Sequence, residues 1–218
     1  MIEIENVYIT GFEPALRGMR NPLDSWDRSD SKYEDGECVI GPNDFDLAKR
    51  LFDEGPVHRK YLRMIHFTAD ITAPMYWWKE YDTYKVSTVA NSCSTMHKLG
   101  SRHLTKKDFS TDETIEGIEL LLPPKINMLN LLMDKMKEEK DEVEKKKIWR
   151  AVIMMLPMNY NQKRTVDISY ETIVNMIQWR ENHKLIEWRQ LVQFFKTLPL
   201  LNRLLEGKDK DDEGHTVQ

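Results

Sequence analysis

Apolar residues change period along this 218-residue chain, and the change restricts it to a fold that mixes helix and sheet. Over residues 2–9, Ile2, Ile4, Val7 and Ile9 are apolar while Glu3 and Glu5 are not. A period of two with β-branched residues predicts a strand. A second strand, with mixed alternation, is predicted over 60–72, and Ala73-Pro74 breaks it because proline cannot donate to a ladder. Elsewhere the period is helical. Leu47, Leu51 and Phe52 stripe a short helix capped by Asn43 or Asp44 and stopped at Gly55. Met75, Trp78, Tyr81 and Tyr84 start another, and 170–180 and 184–205 carry two more stripes. The clearest helix is 126–150, with Ile126, Leu129, Met133, Met136, Val143 and Ile148 near one face. Its run KMKEEKDEVEKKK sets Glu and Lys at i,i+4 spacing, which fits a solvated hairpin or a protruding charged helix rather than a binding role.

Between these elements the sequence reads as connection. Residues 11–43 are rich in Gly, Pro, Asp and Ser and predict a long loop with turn chemistry. A loop of that length is functional or mobile, and a lid is one role for it. The small polar run STVANSCST is neither a good helix nor a good strand. Residues 101–125 form a connector, helical over 108–119 and ended by Pro123-Pro124, and 151–157 lead into a loop. The acidic stretch 206–218 predicts a flexible tail. There is no internal repeat, and the length suits one domain over 1–205.

Charge and composition narrow the function classes. Acidic residues number 36 and basic ones 32, for a net charge of −4, which disfavours long nucleic acid but permits one nucleotide in a local basic cleft. Two cysteines, Cys38 and Cys93, exclude a disulfide scaffold. The start MIEIENVYIT has no signal-peptide pattern, and no apolar run approaches the roughly 20 residues of a membrane span, so a cytoplasmic protein is expected. The six histidines show no i,i+4 pair and no HExxH, so no metal site is expected. Glycine-rich phosphate loops and a G-x-S-x-G elbow are absent. Cys93, alone in a small-residue run, reads as a packed thiol before a nucleophile.

Two constellations remain. Asn91-Ser92-Cys93-Ser94-Thr95 offers hydroxyls and an amide to a phosphate or a base edge, or else caps its own turn. Arg180-Glu181-Asn182-His183, followed by Glu187-Trp188-Arg189, sets two guanidiniums around a helix start, which suits an anion or else a surface ion-pair cluster.

Longer patterns carry a resemblance. Leu156-Pro157-Met158-Asn159 is followed by Asn175 in IVNMIQWR, then Arg180 and the run from His183 to Arg189. Upstream stand DITAPMYWWKEYD and LAKRLFDEGPVH, the latter ending on His58. In order and spacing these pieces, which cover most of 44–195, resemble the flavin-dependent thymidylate synthases. That family's pattern has LP-x-N, then Asn, Arg and H-x-Q-x-E-I-R, with a strand-Ala-Pro-helix entry before its signature.

The signature R-H-R-x-x-S-x-N-E-x-S-x-R-Y is degenerate here. Anchored on Asn91 and Ser94, it falls on Tyr84-Lys85-Val86, with Ser92 for Glu, Met96 for Arg and His97 for Tyr. The family's Glu-His pair falls on Arg63-Met64. Three arginines are thus replaced, and with them the bidentate phosphate contacts.

The resemblance implies an α/β fold of α+β type, with a mostly antiparallel sheet, flanking helices and a protruding helical section. It implies a homotetramer with sites formed between subunits, from a bacterial or phage source. The aromatic cluster Tyr76, Trp77, Trp78, Trp179 and Trp188 suits either ordinary core or an intersubunit surface. The implied reaction methylates dUMP from folate, with FAD as hydride donor and no protein nucleophile. By position, His58, Asn175, Arg180 and His183 are flavin residues, and Lys85, Asn91, Ser92, Ser94, Lys163 and Arg189 nucleotide residues. The loss of arginines puts FAD binding in doubt. The alternatives are a nucleotide-binding or regulatory protein of the same fold without flavin chemistry, and a structural homologue with no small-molecule site.

Overall fold

A computed structural model describes residues 2–34, 37–95, 99–112 and 114–206. Helices and antiparallel sheet are mixed, as expected. The strands are β1 (Glu3–Thr10), β2 (Lys32–Glu34), β3 (Glu37–Val39), β4 (His66–Pro74), β5 (Thr88–Ser92) and β6 (Asn161–Ser169). The helices are α1 (Phe12–Arg20), α2 (Pro42–Asp53), α3 (Met75–Tyr81), α4 (Ile118–Glu138), α5 (Glu142–Met155), α6 (Tyr170–Arg180), α7 (Ile186–Phe195) and α8 (Leu201–Leu205). The main sheet has the order β1-β4-β6-β5, and β2 pairs with β3 as an antiparallel hairpin. No described helix is long and apolar enough to cross a membrane.

The chain divides into two compact units. Unit 1 comprises residues up to 6, 69–85 and 90–166, and unit 2 comprises 7–68, 86–89 and residues from 167 on. In unit 1, α3 buries Trp77, Trp78 and Tyr81 as a packed aromatic trio, with ring centroids 4.8–5.3 Å apart. A second apolar cluster there joins Leu122, Ile126, Leu129 and Met133 of α4 to Val152 of α5 and to Leu99, Leu104 and Phe109. In unit 2, Leu16, Phe52, Phe67, Ile173, Trp188, Leu191 and Phe195 are buried. Trp77, Trp78 and Trp188 are therefore core, whereas Trp179 is 73% exposed.

Several expected connections are structured instead. Residues 11–43 contain α1 and the β2–β3 hairpin rather than one long loop. Pro14 is the third residue of α1, where its missing N–H would have no intrahelical acceptor anyway. Ala15, Leu16 and Met19 bury the helix's apolar side. Gly11, at φ 90°, starts it, and a Cβ there would lie 1.9 Å from the Met64 carbonyl oxygen, so only glycine fits. A buried clasp holds the following segment. Asp44 accepts from Arg20 Nε (2.6 Å), Ser29 Oγ (2.8 Å), Ser31 Oγ (2.6 Å) and Ser31 N (3.1 Å). Burial alone would raise the Asp44 carboxyl, but the hydrogen bonds from Ser31, Ser29 and Arg20 hold it below the usual range.

Pro123-Pro124 lies inside α4 and does not end a helix. Leu120 and Leu121, just before it, are exposed. The helix expected over 126–150 is split into α4 and α5, the hairpin form of that expectation. At the break, Glu139 Oε1 accepts from Lys140 N (2.9 Å) and Asp141 N (3.0 Å), and Asp141 caps α5 through Val143 N (2.8 Å). Residues 151–155 continue α5 instead of entering a loop. Lys60–Arg63 is a 3-10 turn, and the strand starts at His66 and includes Pro74. Part of STVANSCST forms β5. The stripe over 184–205 breaks into α7 and α8, with Leu200 at φ 68° between them. Met96, His97 and the tail from 207 on lie outside the described residues.

Candidate functional site

In unit 2 three of the four expected flavin residues, Asn175, Arg180 and His183, lie on α6 and the turn after it. Ser169 caps α6, its Oγ accepting from Thr172 N at 3.4 Å. An i,i+4 spacing then puts Glu171 and Asn175 on one helix face, and one guanidinium reaches both. Arg59 donates from Nε to Glu171 Oε2 (3.0 Å), from Nη2 to Glu171 Oε1 (3.2 Å) and from Nη2 to Asn175 Oδ1 (3.5 Å). Arg59 and Glu171 are buried, so this fork is a desolvated ion pair. The Asn175 carbonyl is thereby engaged, and its amide hydrogens remain as donors.

The 181–185 turn is held by the residues the sequence singles out. Arg180 lies 4.8 Å above the ring of the fully buried Trp188, and the His183 ring stands edge-on to the same indole at 6.3 Å. Leu185 N donates to His183 Nδ1 at 3.1 Å. Arg189 Nη1 donates to the carbonyls of His183 (2.9 Å) and Lys184 (3.1 Å). Arg180, His183 and Arg189 thus come together. His58 does not join them. It is exposed beyond α2, with Nδ1 3.2 Å from Glu54 Oε2. Its ring lines a hollow of about 1030 Å³ together with residues of α1 and the 57–64 segment.

In unit 1 the expected nucleotide residues lie on or beside β5. Asn91 and Ser92 are exposed on the strand, and Ser94 is half-buried just past it. Cys93 N donates to the Lys163 carbonyl (2.9 Å), and Gln162 Nε2 donates to the Cys93 carbonyl (3.0 Å). These bonds fix the run against β6. Lys163 is paired with Glu5, whose carboxylate holds the ammonium pKa above its ordinary value. Lys85 is exposed and forms no ion pair among the described residues. Arg164, next to Lys163, stacks 4.2 Å over Trp78 and donates to Asp82 Oδ1 at 2.7 Å.

Sequence reasoning missed Arg59, Glu171 and Arg164. The adjacency of Arg59 to His58 and the i,i+4 spacing of Glu171 and Asn175 were the available signals. No group of three or more His, Cys, Asp or Glu that could hold a metal occurs among the described residues.

No protein-family model matches the chain. A comparison with curated protein sequences finds no match either. Solved structures do match. A crystal structure of thymidylate synthase X (ThyX) from Helicobacter pylori with FAD and dUMP superposes with a TM-score of 0.71 at 17% identity, covering 94% of this chain and 99% of the other. A structure of the flavin-dependent thymidylate synthase ThyX from Helicobacter pylori complexed with FAD and dUMP gives 0.68 at 17%, covering 94% and 98%. The chain therefore has a ThyX-like fold.

Proposed function

We propose that the protein is a divergent flavin-dependent thymidylate synthase-like protein that binds a pyrimidine deoxynucleotide such as dUMP. The observation that carries this reading is the full-length likeness to two structures solved with FAD and dUMP. The family's Asn, Arg, His and Arg positions, here Asn175, Arg180, His183 and Arg189, support it through their place on α6, the turn after it and the first turn of α7.

The donors around that turn fit a flavin ring. Asn175 offers its amide hydrogens because Arg59 occupies its carbonyl, and the His183 ring stands beside it, fixed by the bond from Leu185 N to Nδ1. Asn175, Arg180, His183 and His58 would hold FAD, which when bound and reduced supplies the hydride of a methyl transfer. Arg59 and Glu171 act behind them by fixing Asn175. Arg189 and, in unit 1, Asn91, Ser92, Ser94, Lys85 and Lys163 would hold the nucleotide. Lys163 serves as a point charge where the family commonly has an arginine, and Lys85, at the His of the R-H-R triplet, as another. Folate as methylene donor and a homotetrameric assembly belong to the same reading.

One observation favours a second reading, a nucleotide-binding protein without flavin chemistry. Tyr84 and Val86 stand where the family has arginines, and Glu5 already neutralises Lys163. Visible flavin absorbance of the purified protein, before and after added FAD, separates the two, together with thermal stability in dUMP. Flavin uptake with a dUMP-dependent rise in melting temperature supports the enzyme reading. A colourless protein stabilised by dUMP supports the second. No shift with FAD or with any nucleotide would defeat both.

A further inference from the structure

In unit 2, three side chains to which neither flavin nor nucleotide binding has been given meet across two strands. On β4, Phe67 is fully buried, while His66 and Thr68 on either side of it lie on the opposite face and are half-buried. On β6, Ile168 is fully buried and Asp167 before it is half-buried. His66 Nδ1 lies 2.8 Å from Asp167 Oδ1, and Thr68 Oγ1 donates to Asp167 Oδ2 at 2.9 Å. His66, Thr68 and Asp167 all belong to unit 2.

A carboxylate only accepts, so the proton between His66 and Asp167 sits on Nδ1, and the lone pair of the neutral ring is on Nε2. His66 Nε2 has no partner among the described residues. Thr68 ties the second carboxylate oxygen to β4 and so fixes the brace behind the ring. A carboxylate that orients an imidazole and offsets its charge on protonation is the support a general base needs. His58 and His103 also face carboxylates, Glu54 and Asp134, but both rings are more than half exposed and neither carboxylate lies on a strand. Strain marks the same end of the sheet. Ser87 holds φ 51°, in the left-handed region, and its carbonyl accepts from Ser169 N at 3.1 Å, two residues past Asp167. Non-glycine residues held there cluster at functional sites.

Methyl transfer to a pyrimidine has a use for such a base. A carbon added at C5 displaces the C5 hydrogen, which leaves as a proton. We infer that His66, oriented by Asp167, accepts that proton. The C5–H bond breaks, its electron pair stays with the ring, and the proton goes to Nε2 and on to water, while Asp167 offsets the imidazolium charge. Folate as the one-carbon donor and reduced flavin as the hydride source belong to the proposed function, on which this role of His66 rests.

Two measurements test it on the full chain, the first free of flavin and nucleotide. Nitrogen-15 NMR should show neutral His66 as the Nδ1–H tautomer, and diethyl pyrocarbonate should acylate its Nε2. The tautomer should be lost and the acylation slowed severalfold in Asp167→Ala, with no change in the control His103→Gln. A neutral ring protonated on Nε2, or equal acylation in Asp167→Ala, overturns the assignment. The second follows tritium release from C5-labelled dUMP with methylene-tetrahydrofolate and chemically reduced FAD. His66→Gly should lower kcat by about 10²–10⁴-fold while the dUMP KM stays within about threefold, and added imidazole should restore part of the rate. Thr68→Val, which removes only one brace, should cost less than about tenfold. If His66→Gly does not fold, His66→Gln, which still donates to Asp167, takes its place in the kcat comparison. Unchanged kcat, or a folded His66→Gly that imidazole does not rescue, overturns the role. A parent that releases no tritium defeats the methyl-transfer reading, whereas the Nδ1–H tautomer and Asp167-dependent acylation would still uphold His66 as a base.

Discussion

The turn after α6 and the strand β5 carry two groups of the residues singled out in the sequence, and they are built differently. Around α6 the polar groups are anchored. Arg59 and Glu171 are buried against each other, and Arg180, His183 and Arg189 are held by an indole ring and by backbone groups. On β5, Asn91 and Ser92 are exposed, and the nearby cation Lys163 is claimed by Glu5. Anchored groups are preorganised and sensitive to loss of a partner. Exposed ones are individually dispensable for folding and recognise a ligand only by collecting several weak contacts.

Breaking the anchored half should have the largest effect. Glu171→Ala strands the Arg59 guanidinium in the interior and should destabilise the protein by about 3–5 kcal/mol in urea unfolding. A loss below about 1 kcal/mol would show that the pair does not organise α6. Replacing Arg59 and Glu171 together by apolar residues should cost much less than either single change.

Next comes the Asp44 clasp. Asp44→Asn keeps the shape but removes the charge, and a loss of about 1.5–3 kcal/mol is expected at neutral pH. The pH dependence carries a definite sign. The folded-state pKa of Asp44 is depressed, so its contribution is present above the ordinary carboxylate value of about 3.9 and is lost as pH falls through the lower folded value. Acid unfolding of the parent below about pH 4 should therefore be steeper than that of Asp44→Asn. Parallel curves would remove Asp44 from the account.

The smallest stability effects belong to the β5 half. Asn91→Ala and Ser92→Ala should stay within about 0.5 kcal/mol of the parent, while dUMP stabilisation of the melting temperature drops. Glu5→Gln releases the Lys163 ammonium at a stability change below about 1 kcal/mol. It should increase dUMP affinity, and an unchanged or weaker affinity would take Lys163 out of the nucleotide site.

Elements whose apolar residues keep one period were legible in the sequence. Leu47, Leu51 and Phe52 announced α2 with its stop at Gly55, and the Ala-Pro break marked the passage from β4 to α3. Elements in which polar side chains go inside were not legible. β6 has only Val166 and Ile168 as apolar inward residues, because Gln162 is buried through bonds to the Cys93 carbonyl and Arg164. Helix α1 was hidden by Pro14 and Gly18, two residues that usually signal turns. The cluster of Arg180, His183 and Arg189 was legible because its residues are close in sequence. The pair Arg59–Glu171, separated by 112 residues, left no local pattern.

The strand order β1-β4-β6-β5 also bears on how the chain is made. Neighbouring strands in this sheet lie far apart in sequence, with residues 93–160 standing even between the consecutive strands β5 and β6, so no pair can zip from a tight hairpin, and sheet formation is intrinsically slow. On a ribosome β4 is complete at Pro74, but its partner β6 is finished only at Ser169. At about 5–20 residues per second the intervening roughly 95 residues take on the order of 5–20 s, during which one side of β4 waits unpaired. The α4–α5 hairpin, whose contacts are local, is synthesised within that interval. It can fold while β4 still awaits β6, so the helical part of unit 1 is expected to form before the sheet closes.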